Sequence, residues 1–236
     1  MDIAEKVLRA KTDFDDVYEA GKKAEYDVFW DGVQDYGNRD NYSQAFAYAW
    51  NDESFKPKYD IKCTGAYATN QIFFNTKIVD LVGCLKKTNI KFNTTEATAI
   101  QGIFDRAGIL INTPPIDVIN CTSMQMTYFS ARKVKNIEIA NIQETCTFDR
   151  VFHNMYELRD VVLINCTIGK NGINFQWSTK LSADSLKSII NALSTTTTGL
   201  TITLPTTAQS NYEAVYGSGS WTTLVATRSN WTIAYA

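Results

Sequence analysis

Apolar residues recur at alternating intervals of four and three along the first part of the chain, with charged residues between them. This is the a/d pattern of a heptad repeat, and it predicts a helix over residues 2–35. The stripe consists of Ile3, Val7, Ala10, Phe14, Val17, Gly21, Ala24 and Val28. Two interpretations stay open. The helix either oligomerises or docks the chain, or it caps the end of the segment that follows.

A second pattern recurs four times in the middle of the chain: a phenylalanine, an aliphatic residue five or six positions later, and then a β-type run. The four copies are Phe73 with Ile78, Phe104 with Ile109, Phe129 with Val134, and Phe152 with Leu158. Self-similarity with a period of 20 to 50 residues is typical of a solenoid. We therefore expect these residues to form a repeated core, and the repeats to present an extended surface that suits binding better than catalysis.

Two of the β-type runs, residues 116–122 and 161–167, nearly match in sequence, and a weaker copy covers residues 137–142. Their alternating aliphatic residues predict strands with one buried face. Asn120 and Asn165 close the two matching runs, 45 residues or two repeats apart. We expect both to lie inside the turn and to hydrogen-bond backbone groups there.

The last third of the chain changes character. Residues 181–193 predict an amphipathic helix with Ser182 as N-cap, and a strand over residues 200–204 ends at Pro205. Further helices are predicted over residues 208–216 and 221–229, and a last strand over 231–235. This divides the chain into a helical N-terminal segment with an aromatic connector (1–62), a repeat region (63–168) and a C-terminal cap (169–236).

Composition narrows the choice of function. The 236 residues are 44% hydrophobic, enough for a sizeable core, and the net charge of −2 argues against nucleic-acid binding. Five scattered cysteines predict reduced, mostly buried thiols rather than disulfides or a zinc site. The acidic N-terminus does not resemble a signal peptide, and no apolar run approaches the ~20 residues needed to span a bilayer. We expect a soluble protein made in the cytoplasm.

Candidate chemistry is sparse. The single histidine, His153, favours a structural or solvated role, and Asp13, Asp15 and Asp16 lack the spacing of a calcium loop. No glycine-rich phosphate loop occurs. We therefore expect no catalytic residue, no metal site and no cofactor.

The 29 aromatic residues offer one possible binding surface, because the C–H faces of sugars stack on exposed rings. Tyr128, Tyr156, Trp177 and Trp221 are candidates for such a platform, and packing in the core is the alternative for each.

Three groups of residues resemble irregular bacterial leucine-rich-repeat proteins, in particular a group common in phages and prophages of gut Gram-positive bacteria. They are the N-terminal pieces 18–23, 29–31 and 55–61; the repeat pieces 72–78 and 128–134; and the tail pieces 176–182, 191–197 and 226–233. The resemblance implies an α/β, leucine-rich-repeat-like solenoid with a parallel sheet on one face and helices or turns on the other. It also implies a virion or host-surface role and carries no catalytic residues across.

Two functions follow as expectations. The first is a non-enzymatic phage structural protein, of a tail fibre or another exposed part of the virion. Its N-terminal segment would bind other virion proteins or form a trimer, and its repeats would recognise a host-surface glycan or protein. The alternative is an intracellular, prophage- or host-encoded repeat module that binds another protein. A polysaccharide depolymerase is a remote third possibility, because no facing pair of carboxylates is evident.

Overall fold

The computed structural model describes Asp52, residues 60–66 and residues 71–236. The predicted N-terminal helix, with Ile3, Val7, Ala10, Phe14 and Val17, and most of the connector lie outside these residues. The strands are β1 Ile61–Gly65, β2 Phe92–Ala97, β3 Ile100–Gln101, β4 Ile116–Asp117, β5 Ser123–Gln125, β6 Asn136–Ala140, β7 Thr147–Asp149, β8 Asp160–Ile164, β9 Ile173–Asn174, β10 Leu200–Leu204 and β11 Trp231–Tyr235. The helices are α1 Leu81–Thr88, α2 Ala183–Ala192, α3 Ala208–Tyr216 and α4 Ser220–Ala226.

The strands form four small parallel sheets, β1-β2, β3-β5-β7, β4-β6-β8 and β11-β10-β9. Paired residues in the second and third sheets are 23 or 24 positions apart, so successive segments of that length lie side by side. The prediction of a mixed α/β chain with short parallel strands is confirmed. The strands are shorter than predicted, since β4 ends at Asp117 and a turn follows.

The turn after each strand of the β3-β5-β7 sheet repeats with the same backbone geometry. Gly102, Met126 and Arg150 begin these turns with φ of 61°, 48° and 50°. The Gly102 amide donates to the Gln125 carbonyl at 2.7 Å, and the Met126 amide donates to the Asp149 carbonyl at 2.8 Å. Left-handed backbone at equivalent positions therefore fixes where each turn starts, whatever the residue type.

A column of five buried rings runs through these turns and forms the centre of the core. Neighbouring ring centroids are 4.4 to 6.2 Å apart and the planes are within 22° of parallel. The column consists of Phe73, Phe104, Tyr128, Phe152 and Phe175. Packed aromatic pairs of this kind add about 0.5–1.5 kcal/mol each beyond the area they bury.

Two predicted core residues are wrong by one position. Tyr128, not Phe129, is the third ring of the column, and Phe129 is only half-buried. Likewise Ile109 is 36% exposed, whereas its neighbour Leu110 is fully buried. The backbone explains both errors, because the turns begin at 24-residue intervals and residue type does not set the phase. The other predicted core residues, Phe73, Ile78, Phe104, Val134, Phe152 and Leu158, are buried as predicted.

The two matching asparagines do not occupy equivalent positions. Ile116 pairs with Ile139, which pairs with Leu163, so Asn165 corresponds to Asn141 rather than to Asn120. Both Asn120 and Asn165 are exposed, which corrects the expectation that the turn encloses them, although Asn120 does lie in a turn. The Asn120 amide does donate to a backbone carbonyl, that of Thr95, at 2.7 Å. Asn165 instead adopts left-handed backbone, with φ of 53°.

The predicted elements of the last third are present with close to the predicted bounds. Ser182 caps α2 by accepting from the Ser185 amide at 3.3 Å, and β10 ends directly before Pro205. Ser185 and Ser188 on α2 also accept from the Val161 and Leu163 amides, at 2.7 and 2.9 Å. These hydroxyls satisfy the free edge of β8, so α2 ends the β4-β6-β8 sheet.

The tail of the chain holds the C-terminal end of α2 in place. The Arg228 guanidinium donates to the Leu193 and Asn191 carbonyls at 2.8 and 2.7 Å, and the Trp231 indole N–H donates to the Ser194 carbonyl at 2.9 Å. These bonds satisfy carbonyls that a helix end leaves unpaired. The tail motif therefore has a local structural role.

The cysteines match the prediction. All five are free, four are buried and Cys166 is half-buried. Burial raises the pKa of Cys146 to about 11, so its thiol stays protonated at neutral pH.

Candidate functional site

Two of the four predicted platform residues are buried. Tyr128 belongs to the ring column and has no exposed surface. Trp221 is 2% exposed and its indole N–H donates to the Tyr235 hydroxyl at 2.7 Å. Both therefore pack in the core, which corrects their assignment to a ligand-binding surface.

The other two, Tyr156 and Trp177, lie next to each other at the surface. Tyr156 is 40% exposed, and its ring meets that of half-buried Trp177 at 72° with centroids 6.0 Å apart. His153 meets Trp177 at 74° and 5.9 Å, and Phe129 stacks on His153 at 3° and 5.3 Å. We call these four residues, Phe129, His153, Tyr156 and Trp177, the aromatic stripe.

The backbone that builds the ring column also builds the stripe. Phe129 and His153 directly follow the column residues Tyr128 and Phe152, within turns closed by Ser130 and Asn154 at φ of 56° and 60°. Consecutive residues of one turn thus supply a ring to the interior and a ring to the surface. Because the turns stack in parallel, the surface rings align into one row.

Polar groups surround the stripe and fix its geometry. The Asn154 amide donates to the Ser130 hydroxyl at 3.2 Å and accepts from the Tyr156 hydroxyl at 3.3 Å. Lys180 and Glu157 form an ion pair at 2.6 Å on the following turns, and the Lys180 hydrogen bond lowers the pKa of Glu157. Arg159 and Lys135 also lower the pKa of Glu157, so more than one cation surrounds this carboxylate.

The Trp177 indole N–H is buried and has no hydrogen-bond partner. An unpaired buried donor costs stability, on the order of 1–3 kcal/mol. Trp177 is therefore not held in place by its N–H. Its contribution to the surface is the ring itself, which contacts both Tyr156 and His153.

The stripe ends where Asp105 replaces an aromatic residue at the position equivalent to Phe129 and His153. The Asp105 side chain is buried, and burial raises the pKa of its carboxyl group against the opposing effects of Gln71 and Arg106. Beyond it, the Arg106 guanidinium lies over the Phe74 ring at 5.5 Å. The continuous row of surface rings is thus confined to three successive turns.

A second surface lies on the outer face of the β4-β6-β8 sheet, where an open groove of about 480 Å³ runs between the strands and α1. We call it the strand-face groove. A polar row crosses it, formed by Asp80, Asn112, Asn136 and Asp160. Asn112 donates to Asp80 at 3.3 Å. The Asn136 side-chain amide donates both to the Lys135 carbonyl at 3.1 Å and to Asp160 at 3.0 Å.

Charge gives the strand-face groove its chemical character. Its lining holds three carboxylates, Asp80, Asp160 and Glu138, and one cation, Lys86. Asp80 caps α1 and Asp160 accepts from Ser182, whereas no hydrogen bond or ion pair joins Glu138 to another described residue. Val162, which is 45% exposed, lies on the strand beside it. The groove is suited to cations and to hydrogen-bond donors.

Sequence reasoning missed half of the stripe, although a signal was present. Phe129, His153 and Trp177 are spaced 24 residues apart, the same interval as the column residues Phe104, Tyr128 and Phe152. Two aromatic series of nearly equal period, one position apart in two turns and two positions apart at Phe175 and Trp177, indicate an interior and an exterior row. The phenylalanine repeat instead predicts a core position for Phe129, and a single histidine carries no signal of its own.

Neither a metal site nor a membrane span emerges from the described ranges. Residues 60–66 and 71–236, with Asp52, contain no group of three His, Cys, Asp or Glu side chains placed to hold a metal ion. Nor does any helix in this part of the chain have the length and apolar character needed to cross a membrane.

Comparison of the chain with protein-family models, with curated proteins and with solved structures gives no match.

Proposed function

We propose that the chain is a non-enzymatic attachment protein of a bacteriophage particle, with a leucine-rich-repeat-like solenoid body that recognises the host surface. Three features support the solenoid part. They are the 24-residue interval between paired strands, the left-handed turns at equivalent positions and the column of stacked rings. Together they match the one-dimensional stacking of repeat proteins.

The aromatic stripe is the observation that carries the recognition role. Isolated exposed aromatic rings are common, but a row of ring contacts across three stacked turns is a contiguous surface of the kind that marks a binding site. Its rings are held by packing and by the Asn154 hydrogen bonds, so a ligand would meet a preorganised surface.

In this proposal the N-terminal segment anchors the protein to other virion proteins or joins three copies. The contacts would be made by its heptad positions Ile3, Val7, Ala10, Phe14 and Val17. Light scattering of the full chain and of a chain lacking residues 1–35 tests that part. We expect a trimer that becomes a monomer on truncation. A monomer in both cases would assign these residues to capping.

The attachment role is tested on particles. Antibodies raised against the purified chain should label intact virions, and pre-incubation of host cells with the chain should slow phage adsorption. Labelling of infected-cell lysate without labelling of virions would contradict the proposal.

The strand-face groove favours a second candidate, an intracellular repeat module that binds a protein. Its acidic lining and exposed Val162 suit a basic segment with apolar residues. A cellular location with no virion labelling, together with loss of a copurifying basic partner in a Glu138→Lys variant, would favour this candidate.

A further inference from the structure

We propose that the aromatic stripe binds a linear, neutral glycan whose sugar rings lie along the stacking direction of the turns. This rests on the proposed function, because it names the chemical class of the host-surface ligand. It concerns Phe129, His153, Tyr156 and Trp177, and it excludes the buried Tyr128 and Trp221.

The angles between the rings suit a pyranose. Tyr156 and His153 both stand at more than 70° to Trp177, so the indole ring and its neighbours form a right-angled corner. A sugar in such a corner stacks its C–H face on one ring while its edge contacts the other. Tyr and Trp are suited to this because they combine an apolar face with a polar group.

The spacing of the stripe suits a polymer. Phe129, His153 and Trp177 belong to successive turns, and neighbouring ring centroids along this row are 5.3 and 5.9 Å apart. Adjacent sugar units of an extended glycan are separated by a comparable distance. A chain of sugars can therefore contact one turn after another, and each added unit extends the contact without ordering further protein.

The uncharged polar groups beside the rings favour a neutral ligand. Lys180 is paired with Glu157 at 2.6 Å, so its charge is partly neutralised. The Asn154 amide, the Ser130 hydroxyl and the Tyr156 hydroxyl hydrogen-bond to one another beside the rings. These groups donate and accept without net charge, as sugar hydroxyls do.

The test is titration of the full chain with soluble hexasaccharides, followed by tryptophan fluorescence and saturation-transfer NMR. The probes are cellohexaose, maltohexaose and chitohexaose, with neutral wall polysaccharide from a Gram-positive bacterium as a fourth. A sulfated hexasaccharide serves as the charged comparison. We expect at least one neutral probe to bind, with saturation transfer to sugar ring protons, and the sulfated probe to bind more weakly.

Three variants assign the binding to the stripe. Tyr156→Ala and Trp177→Ala should each weaken binding about tenfold, as expected for anchor aromatics. Trp177→Phe keeps a ring and omits the unpaired N–H, so it should stay within about threefold of the unmodified chain and should fold at least as well. Glu138→Gln, in the strand-face groove, is the matched control and should bind as the unmodified chain does.

Several results would overturn the inference: binding of none of the neutral probes, preference for the sulfated probe, or equal weakening by Glu138→Gln. Concentration-dependent association of the chain that Trp177→Ala abolishes, without glycan binding, would assign the stripe to self-association instead. Virion labelling is a separate readout. Glycan binding by a chain absent from virions would refute the attachment role alone, and labelled virions without glycan binding would refute this inference alone.

Discussion

The interior ring column and the exterior aromatic stripe contain the same kinds of side chain, taken from the same turns, in opposite surroundings. Tyr128 and Phe152 are buried, whereas their immediate neighbours Phe129 and His153 are half-exposed. Inside, parallel stacking of neighbouring rings contributes to stability. Outside, Phe129 also stacks on His153, but Trp177 stands at more than 70° to His153 and Tyr156, and these three rings form a corner at the surface. Position within the turn, and not residue type, decides which role an aromatic side chain has.

The two rows should differ most in the unfolding free energy that is lost when one of their rings is replaced by alanine. Phe152 stacks between Tyr128 at 6.2 Å and Phe175 at 4.4 Å, so Phe152→Ala leaves a cavity in the core and should cost about 3–5 kcal/mol of unfolding free energy. His153→Ala, one residue further on, should cost less than about 1 kcal/mol. Urea unfolding of the full chain measures both. Similar losses in the two variants would remove the distinction between the rows.

Removal of the Tyr128 hydroxyl should change the unfolding free energy by a smaller amount and in the opposite direction. It is buried and makes no hydrogen bond of normal geometry, and burial raises its pKa above the usual range against a smaller opposing effect of Thr113. Tyr128→Phe removes this unpaired group and keeps the ring, so it should stabilise the fold by about 1 kcal/mol.

The matched exterior variant is Tyr156→Phe, because the Tyr156 hydroxyl donates to Asn154 at the surface. It should change stability by less than about 0.5 kcal/mol. Unfolding curves recorded side by side make the comparison, and a loss of stability in Tyr128→Phe would mean that its hydroxyl is bonded in solution.

Sequence reasoning succeeds where local signals decide the structure. Helix α2 follows from its apolar spacing and the Ser182 cap, and β10 from alternation that ends at Pro205. It fails where contacts distant in sequence set the phase. Nothing local distinguishes Tyr128 from Phe129 as the core ring, because the choice depends on left-handed backbone at Met126 and Arg150 and on pairing with the next turn.

The side chains that hydrogen-bond to the outer strands of the sheets also cannot be predicted from the sequence. The Asn171 side chain donates to the Phe148 carbonyl and accepts from the Phe148 amide, which places an amide group where a further strand would pair with β7. Ser185 and Ser188 do the same for β8. Polar side chains on a helix or in a loop have no local feature that identifies a strand edge as their partner.

One interior and one exterior carboxylate should make the stability of the fold depend on pH in opposite directions. In buried Asp105 the pKa is raised above the usual 3.8, chiefly by desolvation. Its contribution to stability is therefore fully present below pH 3.8 and is lost as the pH rises through the raised pKa. Asp105→Asn removes that dependence, so the variant should gain stability relative to the unmodified chain as the pH rises toward neutrality. Unfolding free energies between pH 3 and pH 7 test this. A constant difference across the range would mean that Asp105 titrates alike in both states.

The smallest effect should come from the exterior counterpart, Glu144, and it should have the opposite sign. One oxygen of Glu144 accepts hydrogen bonds from the hydroxyls of Ser194, Thr196 and Thr197, and these bonds lower its pKa from the usual 4.5. Its stabilising effect is fully present above pH 4.5 and is lost as the pH falls through the lowered pKa. Glu144→Gln should thus be less stable than the unmodified chain at neutral pH, and the difference should shrink on acidification. Because this carboxylate lies at the surface, added salt should shrink the neutral-pH difference further. A difference that grows on acidification would give Glu144 the sign expected of Asp105, and would contradict the assignment of the two carboxylates to exterior and interior surroundings.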